Sequence, residues 1–247
     1  MFDGGVTTSP TAARPAAGSP AHPLDAATWS ALTGPHARFA IGTDRARRYP
    51  ADVAPFAALA SVEDPGAWAD LRELYATGET AALAIPGGVT WSASDGWEPD
   101  GAIPGVQLVS TAALRSFPDE EAVRLGPDDV AEATDLVART EPGPFRPRTI
   151  ELGTYFGLRR DGRLVAMAGE RLHPAGWTEI SAVCTDPAYR RQGLASGLVR
   201  AVADLVRQRG DVPFLHTGAA NTRAIRLYLA MGFELRSEVQ FVAVRAV

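Results

Sequence analysis

Apolar residues recur most regularly in the second half of the chain, where helix-like and strand-like spacings follow one another. Between Leu194 and Arg209 the apolar positions return every three or four residues, which predicts an amphipathic helix packed on a sheet. Asp161-Gly162 is a strong hairpin dipeptide between two apolar runs. The other elements predicted in this half are strands at 123–125, 156–160, 163–172, 177–185, 214–216 and 233–244, and helices that end near 140 and at 231.

The first half of the chain has a weaker pattern, in which short apolar segments alternate with proline and glycine. The apolar positions of 68–75 recur at three and four residues and predict a helix. Residues 81–85, stopped by Pro86-Gly87-Gly88, predict a strand. The whole pattern indicates a mixed α/β (α+β) chain, and no catalytic or binding motif stands out in its first half.

Composition and patterning divide the chain into three parts. Residues 1–23 are rich in Ala, Pro, Gly, Ser and Thr, so we expect a disordered tail. Residues 24–117 are interpreted as an N-terminal α/β domain. Residues 118–247, entered through the linker near Ser116, are interpreted as a second domain with clearer patterning.

Charge and composition narrow the classes of partner. A formal net charge of -5 and a pI near 5.4 argue against nucleic acid, whose binders need clustered cations. No apolar run approaches the roughly 18 residues that a bilayer span needs, so we expect no membrane partner. A single cysteine and four scattered histidines predict no structural metal, and with the absence of a signal-like start they predict a cytoplasmic location. The pattern does not indicate an oligomeric state.

All 24 basic residues are arginine, because the sequence contains no lysine. Any recognition of phosphate must therefore use arginine and backbone N–H groups rather than a P-loop lysine. The segment from Asp186 to Ala195 offers both, since Arg190 and Arg191 precede Gly193 at the start of the long predicted helix. A helix N-terminus with a glycine can bind a diphosphate. The alternative is a polar loop that simply enters a helix.

These residues resemble the acyl-CoA loop of the GNAT superfamily of acyltransferases, which has the pattern Arg/Gln-x-x-Gly-x-Gly/Ala between a strand and a helix. Arg190 to Ala195 match it in full. A second family block, Asn-x-x-Ala followed by a tyrosine and Gly-Phe, appears as Asn221 to Ala224, Tyr228 and Gly232-Phe233. The two blocks occur in the family's order.

The resemblance covers about residues 121–245, and the segment 178–183 is closest to the glycine N-acyltransferase-like branch. It implies a GNAT fold, with a mixed, mostly antiparallel central sheet flanked by helices, and makes 118–247 the catalytic domain. Some members carry a degenerate N-terminal copy of the fold, and 24–117 is a candidate for one. The implied co-substrate is acetyl-CoA. The residues that the resemblance assigns to it are Ala182, Val183, Thr185, Arg190, Arg191, Gln192, Gly193, Leu194, Ala195, Ser196 and Asn221.

The same resemblance names two catalytic candidates. Glu179 matches a strand glutamate that serves several members as general base, directly or through water. The alternative is an ordinary strand-end carboxylate that faces solvent or pairs with an arginine. Tyr228 matches a tyrosine that protonates the leaving thiolate in many members, and the alternative is a core aromatic residue.

Other polar residues have simpler interpretations. Asn221 is expected to cap its helix and also to contact the pantetheine arm. His216 is more readily a satisfied, partly buried histidine than a base, and Cys184 is structural. Arg146 or Arg148, in a proline-rich loop, is a candidate for holding an acceptor carboxylate, with a solvated loop arginine as the alternative.

The sequence therefore predicts an N-acyltransferase that moves an acyl group, acetyl by default, from acyl-CoA to a primary amine in a ternary complex. The acceptor is a small molecule or a peptide. The rival hypothesis is an inactive module that keeps the acyl-CoA pocket for regulation. A third hypothesis is a purely structural α/β domain. In that case the family matches at the loop, Asn221 and Tyr228 would all be coincidences.

Overall fold

A computed structural model of the protein describes residues 22–92 and 95–247. The predicted tail at 1–23 lies outside these residues except for its last two positions. The helices are α1 Ala27–Thr33, α2 Pro65–Arg72, α3 Val130–Thr140, α4 Leu194–Gln208 and α5 Thr222–Met231. The strands are β1 Ile41–Gly42, β2 Ala46–Arg48, β3 Ala57–Leu59, β4 Thr80–Pro86, β5 Trp97–Ser110, β6 Val123–Arg124, β7 Tyr155–Arg160, β8 Arg163–Glu170, β9 Trp177–Thr185, β10 Val212–Gly218 and β11 Phe233–Ala246.

Eight of the strands form one sheet, in the order β4-β11-β5-β10-β9-β8-β7-β6. Every neighbouring pair in it is antiparallel except β9 and β10, which run parallel. The strands β1, β2 and β3 form a small separate sheet in the N-terminal half. The predicted mixed, mostly antiparallel sheet flanked by helices, with a smaller N-terminal unit, is confirmed.

The N-terminal half supplies a central strand of the large sheet. β5 lies between β10 and β11, with Val109 opposite Phe214 on one side and Glu234 on the other. β4 extends the same sheet by pairing with β11. Strands from both sides of the predicted 117/118 boundary therefore share one hydrogen-bonded sheet, and the division into two domains stays a prediction.

Side-chain alternation gives the sheet two different faces. Leu108 and Leu215 pack in one apolar cluster with α4 and α5. Their neighbours Val109 and Phe214 pack on the opposite face, in a cluster with α1 and the N-terminal unit. α3 covers that opposite face farther along, over β7, β8 and the end of β9. The sheet is therefore the middle of three layers.

Candidate functional site

The gap between β9 and β10 is the central feature of the site. Their parallel ladder extends only from Trp177 opposite Val212 to Glu179 opposite Phe214. β9 continues to Thr185 and β10 to Gly218 without further pairing between the two strands. Beyond Glu179 the facing edges of these strands can therefore bind a ligand through backbone groups.

A β-bulge turns the β9 backbone beside this gap. Met167 and Gly169 lie two residues apart on β8, whereas their partners Cys184 and Ser181 lie three apart on β9. Ala182, inside the extra step, has a φ of 53°, a left-handed conformation that is uncommon for alanine. Bulges of this kind re-aim local groups and cluster near functional sites.

The bulge also redistributes the side chains of β9 between the two faces. Ile180 and Val183 pack toward α4, although they lie three residues apart. Ala182 and Cys184 pack in the cluster with α3. Thr185, at the end of the strand, has a buried hydroxyl without a hydrogen-bond partner among the described residues. The predicted cofactor residues of β9 thus line the bulge and its exit.

The arginine-rich loop joins β9 to α4. Arg190, Arg191 and Gln192 are exposed, and Arg191 has a φ of 65°. Gly193 is the N-cap of α4 with a φ of 81°, and a side chain added there would meet no atom of residues 22–92 and 95–247 within 4 Å. The side of Gly193 that a Cβ would occupy is therefore open to solvent.

The first turn of α4 has the electrostatics of an anion site. Leu194, Ala195 and Ser196 begin this 15-residue helix, and among the described residues no side chain caps their N–H groups. The turn contains no acidic residue. The positive end of the helix dipole, the free N–H groups and the two loop arginines all favour a diphosphate. The residues present therefore fit the phosphates of CoA.

Tyr228 and Asn221 lie on α5, which shares a sheet face with α4. Asn221 is the N-cap, and its side chain accepts a hydrogen bond of 3.2 Å from the Ala224 N–H, so the predicted cap is confirmed. Tyr228 is buried in the cluster that contains Val183 and Leu194. Burial raises the pKa of Tyr228 to about 12. The phenol is therefore neutral at ordinary pH and can donate a hydrogen bond or a proton.

Glu179 is fully buried on the face opposite α4. Arg171 donates two hydrogen bonds to its carboxylate, of 2.8 and 2.6 Å, and His216 Nδ1 lies 2.7 Å from it. Burial alone would raise the pKa of Glu179, but the Arg171 charge and the His216 contact outweigh burial and hold the pKa well below its usual range. The structure therefore shows Glu179 paired with an arginine and not exposed to solvent.

The proton on His216 can be located from its partners. Arg236 donates a 2.8 Å hydrogen bond to Gln107 Oε1, which makes Gln107 Nε2 the donor to the Leu24 carbonyl at 3.0 Å and to His216 Nε2 at 2.9 Å. His216 Nε2 therefore accepts, and Nδ1–H donates to Glu179. The expectation of a satisfied histidine is confirmed.

These contacts form one chain of mostly buried polar groups across four strands. Sequence reasoning singled out Glu179 and His216 but missed Arg171, Gln107 and Arg236. No local signal identifies these three, because Gln107 and Arg236 lie 129 residues apart and meet only through sheet pairing. In order, the chain runs Asp25, Arg236, Gln107, His216, Glu179 and Arg171.

Two further features lie outside this chemistry. Cys184 is buried, and burial raises its thiol pKa to about 11, so its structural role is supported. A cavity of about 330 Å³ is lined by residues of α1, β3 and β4. Because β4 is four strands away from β9 in the sheet, this cavity is separate from the β9–β10 gap.

The buried ion pair of Glu179 with Arg171 should make the stability of the protein depend on pH. Because the pKa of Glu179 is lowered in the folded state, the carboxylate stabilises the protein fully above its unfolded pKa of about 4.5, and this contribution is lost as the pH falls below that value. Glu179→Gln leaves Arg171 buried without its partner and should lower the free energy of unfolding at pH 7 by about 3–5 kcal/mol. Urea unfolding at pH 7 and pH 4 should show this difference shrinking at the lower pH.

Glu98→Gln is the matched control, because Glu98 forms an exposed ion pair with Arg245 at 3.0 Å. Such a pair contributes at most about 1 kcal/mol. If Glu179→Gln is as stable as the wild type at pH 7, the buried pair does not have the role assigned to it.

Comparison with known proteins identifies similar chains. Residues 155–242 match the FR47-like protein family. The N-alpha-acetyltransferase RimI of Mycobacterium tuberculosis is 36% identical over 130 residues, which are 47% of this chain and 81% of that protein. The mycothiol acetyltransferase of Thermomonospora curvata is 30% identical over 188 residues, or 74% of this chain, which thus spans only 57% of that protein.

A solved structure extends the likeness to nearly the whole chain. A GNAT-family acetyltransferase structure from Novosphingobium aromaticivorans superposes with a TM-score of 0.84 and 38% identity. The match covers 92% of this chain and 100% of that one. This chain therefore belongs to the GNAT family of N-acetyltransferases.

Proposed function

We propose that the chain transfers an acyl group, acetyl by default, from acyl-CoA to a primary amine by direct attack within a ternary complex. One continuous arrangement carries the proposal: β9 and β10 separate after Glu179, and β9 then leads into the arginine-rich loop whose Gly193 opens α4. A strand edge with free backbone groups suits an extended pantetheine arm. The helix N-terminus beyond it suits the diphosphate.

In this proposal the donor lies along β9 and the start of α4. The N–H groups of 194–196 and the side chains of 190–192 bind the diphosphate. The pantetheine passes the Thr185 hydroxyl, which has no hydrogen-bond partner within the described residues, toward Ala182 and Val183. Backbone N–H groups at the bulge stabilise the oxygen of the thioester as it gains negative charge.

The reaction itself needs no covalent enzyme intermediate. The neutral amine forms a C–N bond as the C–S bond breaks, the nitrogen loses one proton, and the sulfur gains one. The products are an amide and free CoA. The polypeptide must therefore orient the amine, stabilise the oxyanion and assist the departing thiolate.

Glu179 fits this scheme better as a positioning residue than as the direct base. A carboxylate whose pKa is lowered by Arg171 is a weak base toward an ammonium group. Its hydrogen bond to His216 spans β9 and β10 where their ladder ends. The pair thus fixes the width of the gap in which the thioester lies, and the general-base role stays a prediction.

Tyr228 is the proposed donor to the leaving sulfur. The raised pKa of about 12 makes the phenol a weaker acid than usual, so a hydrogen bond to the developing thiolate is favoured over early proton transfer. Its burial among Val183 and Leu194, on the face of α4, supports the assignment.

Tyr228→Phe should lower kcat by about 100-fold, because an acid that acts in the transition state contributes roughly that factor or more. The Kd for acetyl-CoA should stay within about twofold of the wild type, since the ring and its packing on Phe233 are kept. Steady-state kinetics and calorimetry measure the two effects separately. A weakened Kd with unchanged kcat would make Tyr228 a binding or packing residue.

Calorimetric titration of the purified chain with acetyl-CoA tests the central proposal. Saturable binding near one donor per chain is the expected result, followed by release of free CoA thiol when an amine is added. No binding of acetyl-CoA, longer acyl-CoAs or free CoA would overturn the proposal.

The rival is an inactive acyl-CoA-binding module, which would bind the donor but release no thiol with any amine. The bulge at Ala182 and the placement of Tyr228 favour turnover, because neither is needed to hold the diphosphate. The acceptor is open, since the two named relatives differ in the acceptor that their names indicate.

Three narrower assignments remain predictions. They are membership of the glycine N-acyltransferase-like branch, descent of residues 24–117 from a degenerate copy of the fold, and a cytoplasmic location. Among the described residues no helix combines the length and apolarity that crossing a membrane requires. β4 and β5 supply strands to the large sheet, which is compatible with a degenerate copy.

A further inference from the structure

A small basic cleft lies at the junction between the N-terminal unit and the loop after α3. Its volume is about 180 Å³. Since one water occupies about 30 Å³ of liquid, the cleft has room for about six waters, or for one end of a small organic molecule. The residues that line it are Arg48, Tyr49, Ala51, Ala54, Pro55, Tyr75, Glu79, Thr80 and Arg146.

The two loop arginines that were candidates for holding a carboxylate differ in their partners. Arg148 donates hydrogen bonds to Glu151, at 2.7 and 2.8 Å, and to Asp52, at 3.2 Å. Its charge is thus neutralised within the protein. Arg146 is exposed, lines the cleft and forms no ion pair with any carboxylate in the described part of the chain.

Arg48 enters the same cleft from β2. Its guanidinium lies over the Tyr75 ring, 4.6 Å from the centroid, which leaves its edge for a ligand. Its Nε atom is buried and has no hydrogen-bond partner among residues 22–92 and 95–247. A buried donor without a partner is costly, so it indicates a group that is absent from the polypeptide itself.

The cleft has a net positive lining. Glu79 is its acidic residue, and one oxygen of that carboxylate accepts a 2.7 Å hydrogen bond from the Ala76 N–H in the adjoining turn. The cleft is therefore lined by two guanidinium groups and by one carboxylate that already accepts a backbone hydrogen bond. A planar anion with two oxygens matches such paired guanidinium groups.

The cleft adjoins the Glu179 network from the side opposite α4. Tyr49, which lines the cleft, is buried, and burial raises its pKa. The negative charge of the nearby Glu179 carboxylate raises the pKa of Tyr49 further. Pro55, which also lines the cleft, precedes Phe56, whose ring lies 4.9 Å from the Arg171 guanidinium. The donor is proposed to enter from the α4 face, so this face is the one left for the acceptor.

We infer that this cleft binds a carboxylate carried by the acceptor amine, with Arg48 from the N-terminal half and Arg146 from the loop as its two ligands. The inference rests on the proposed acyl transfer and narrows its substrate class to amines that also bear a carboxylate. It also gives the N-terminal half a direct part in substrate selection.

The first test is binding without turnover. The protein, labelled with ¹⁵N and holding CoA, is titrated with butyrate and separately with butyramide while the arginine Nε–H signals are followed by NMR. Butyrate should shift two of these signals saturably, and butyramide should not. Arg146→Gln should weaken the butyrate Kd about 10-fold, the loss typical of one charge-assisted hydrogen bond.

The second test is selectivity in the reaction. Straight-chain amino acids of increasing length are each compared with their carboxamides as acceptors. The free acids should have KM values about 10-fold lower, and Arg146→Gln and Arg48→Gln should each remove most of that preference at unchanged kcat. Arg163→Gln is the matched control, because Arg163 is exposed on the β7–β8 hairpin and does not line the cleft.

The outcomes separate the two proposals. Butyrate that shifts no arginine signal, or acids and amides used equally well, would overturn the carboxylate site even when acetyl-CoA binds and thiol is released. Failure of acetyl-CoA to bind would instead overturn the acyl-transfer proposal. Arg146 is exposed, so its substitution tests the site even if Arg48→Gln lowers stability.

Discussion

Gly193→Glu is expected to weaken acetyl-CoA binding by at least about 100-fold, which corresponds to about 2.8 kcal/mol. Gly193 lies at the point where the loop passes into α4, and the side that a Cβ would occupy is open. A glutamate there brings a negative charge to the N–H groups that would otherwise bind the diphosphate. Repulsion between the carboxylate and the phosphates adds to the lost hydrogen bonds.

The variant should nevertheless stay folded. At a φ of 81° a side chain costs about 1 kcal/mol, but it would displace no atom in the part of the chain that the structure describes, since none lies within 4 Å. The new charge offsets part of that cost, since a carboxylate at a helix N-terminus is stabilising by about 0.3–1 kcal/mol. Thermal unfolding should therefore change little while calorimetry loses the binding signal.

Gly162→Glu is a closely matched control. Gly162 has a φ of 78° and equally open surroundings, but it lies in the β7–β8 hairpin. The same charge and the same backbone cost there should leave the Kd for acetyl-CoA unchanged. Equal Kd values for Gly193→Glu and the wild type would remove the loop from the donor site.

Much of the fold was predictable where local signals agree. Trp177–Thr185 matches its predicted strand in both bounds, and α4 differs from its predicted end by one residue. Asp161 and Gly162 both have positive φ, as a tight hairpin turn requires. In these segments the spacing of apolar residues and the turn residues indicate the same structure, so neighbouring sequence is sufficient.

β5 shows why other parts could not be predicted. The sequence has a short apolar segment at 106–109, but β5 begins at Trp97, and residues 98–104 are exposed. Apolar and polar residues do not alternate in this stretch, because it pairs with β11 but not with β10 and so forms an edge of the sheet. The position of β5 between β10 and β11 depends on pairing with strands more than 100 residues later.

The candidate site likewise has one part that can be predicted from neighbouring sequence and one part that cannot. The loop from Arg190 to Ala195 is contiguous, so its proposed role could be predicted from a short segment. The surroundings of Glu179 depend on Arg171 across a hairpin and on His216 across a parallel pair. The sequence alone could not decide whether Glu179 faces solvent or pairs with an arginine, since burial of a strand end is decided by what packs over it.

The largest expected effect on folding comes from separating the two halves of the chain. A protein that begins at residue 118 lacks β4 and β5, the two strands that pair with β11. β11 would lose both strands with which it pairs in the described structure, and β10 would keep its three-residue ladder to β9. Leu108 and Leu114 would also be missing from the cluster under α4 and α5.

We therefore expect residues 118–247 alone to aggregate, without a cooperative unfolding transition and without acetyl-CoA binding. The matched experiment retains both halves but cuts the chain between them. A protease site is placed after Phe117, which is exposed. The cut protein should elute as one species, bind acetyl-CoA and separate only in denaturant, because β5 remains paired on both sides.

Together, the two experiments test whether the fold needs an unbroken chain or only the presence of both halves. If the halves are independent domains, 118–247 should fold and bind the donor, and the cut halves should separate under native conditions. If the sheet is shared, removal of β5 abolishes the fold whereas the cut does not. The 13 residue pairs that join β5 to β11 favour the second result, and with it an active centre that depends on the N-terminal half for its folding.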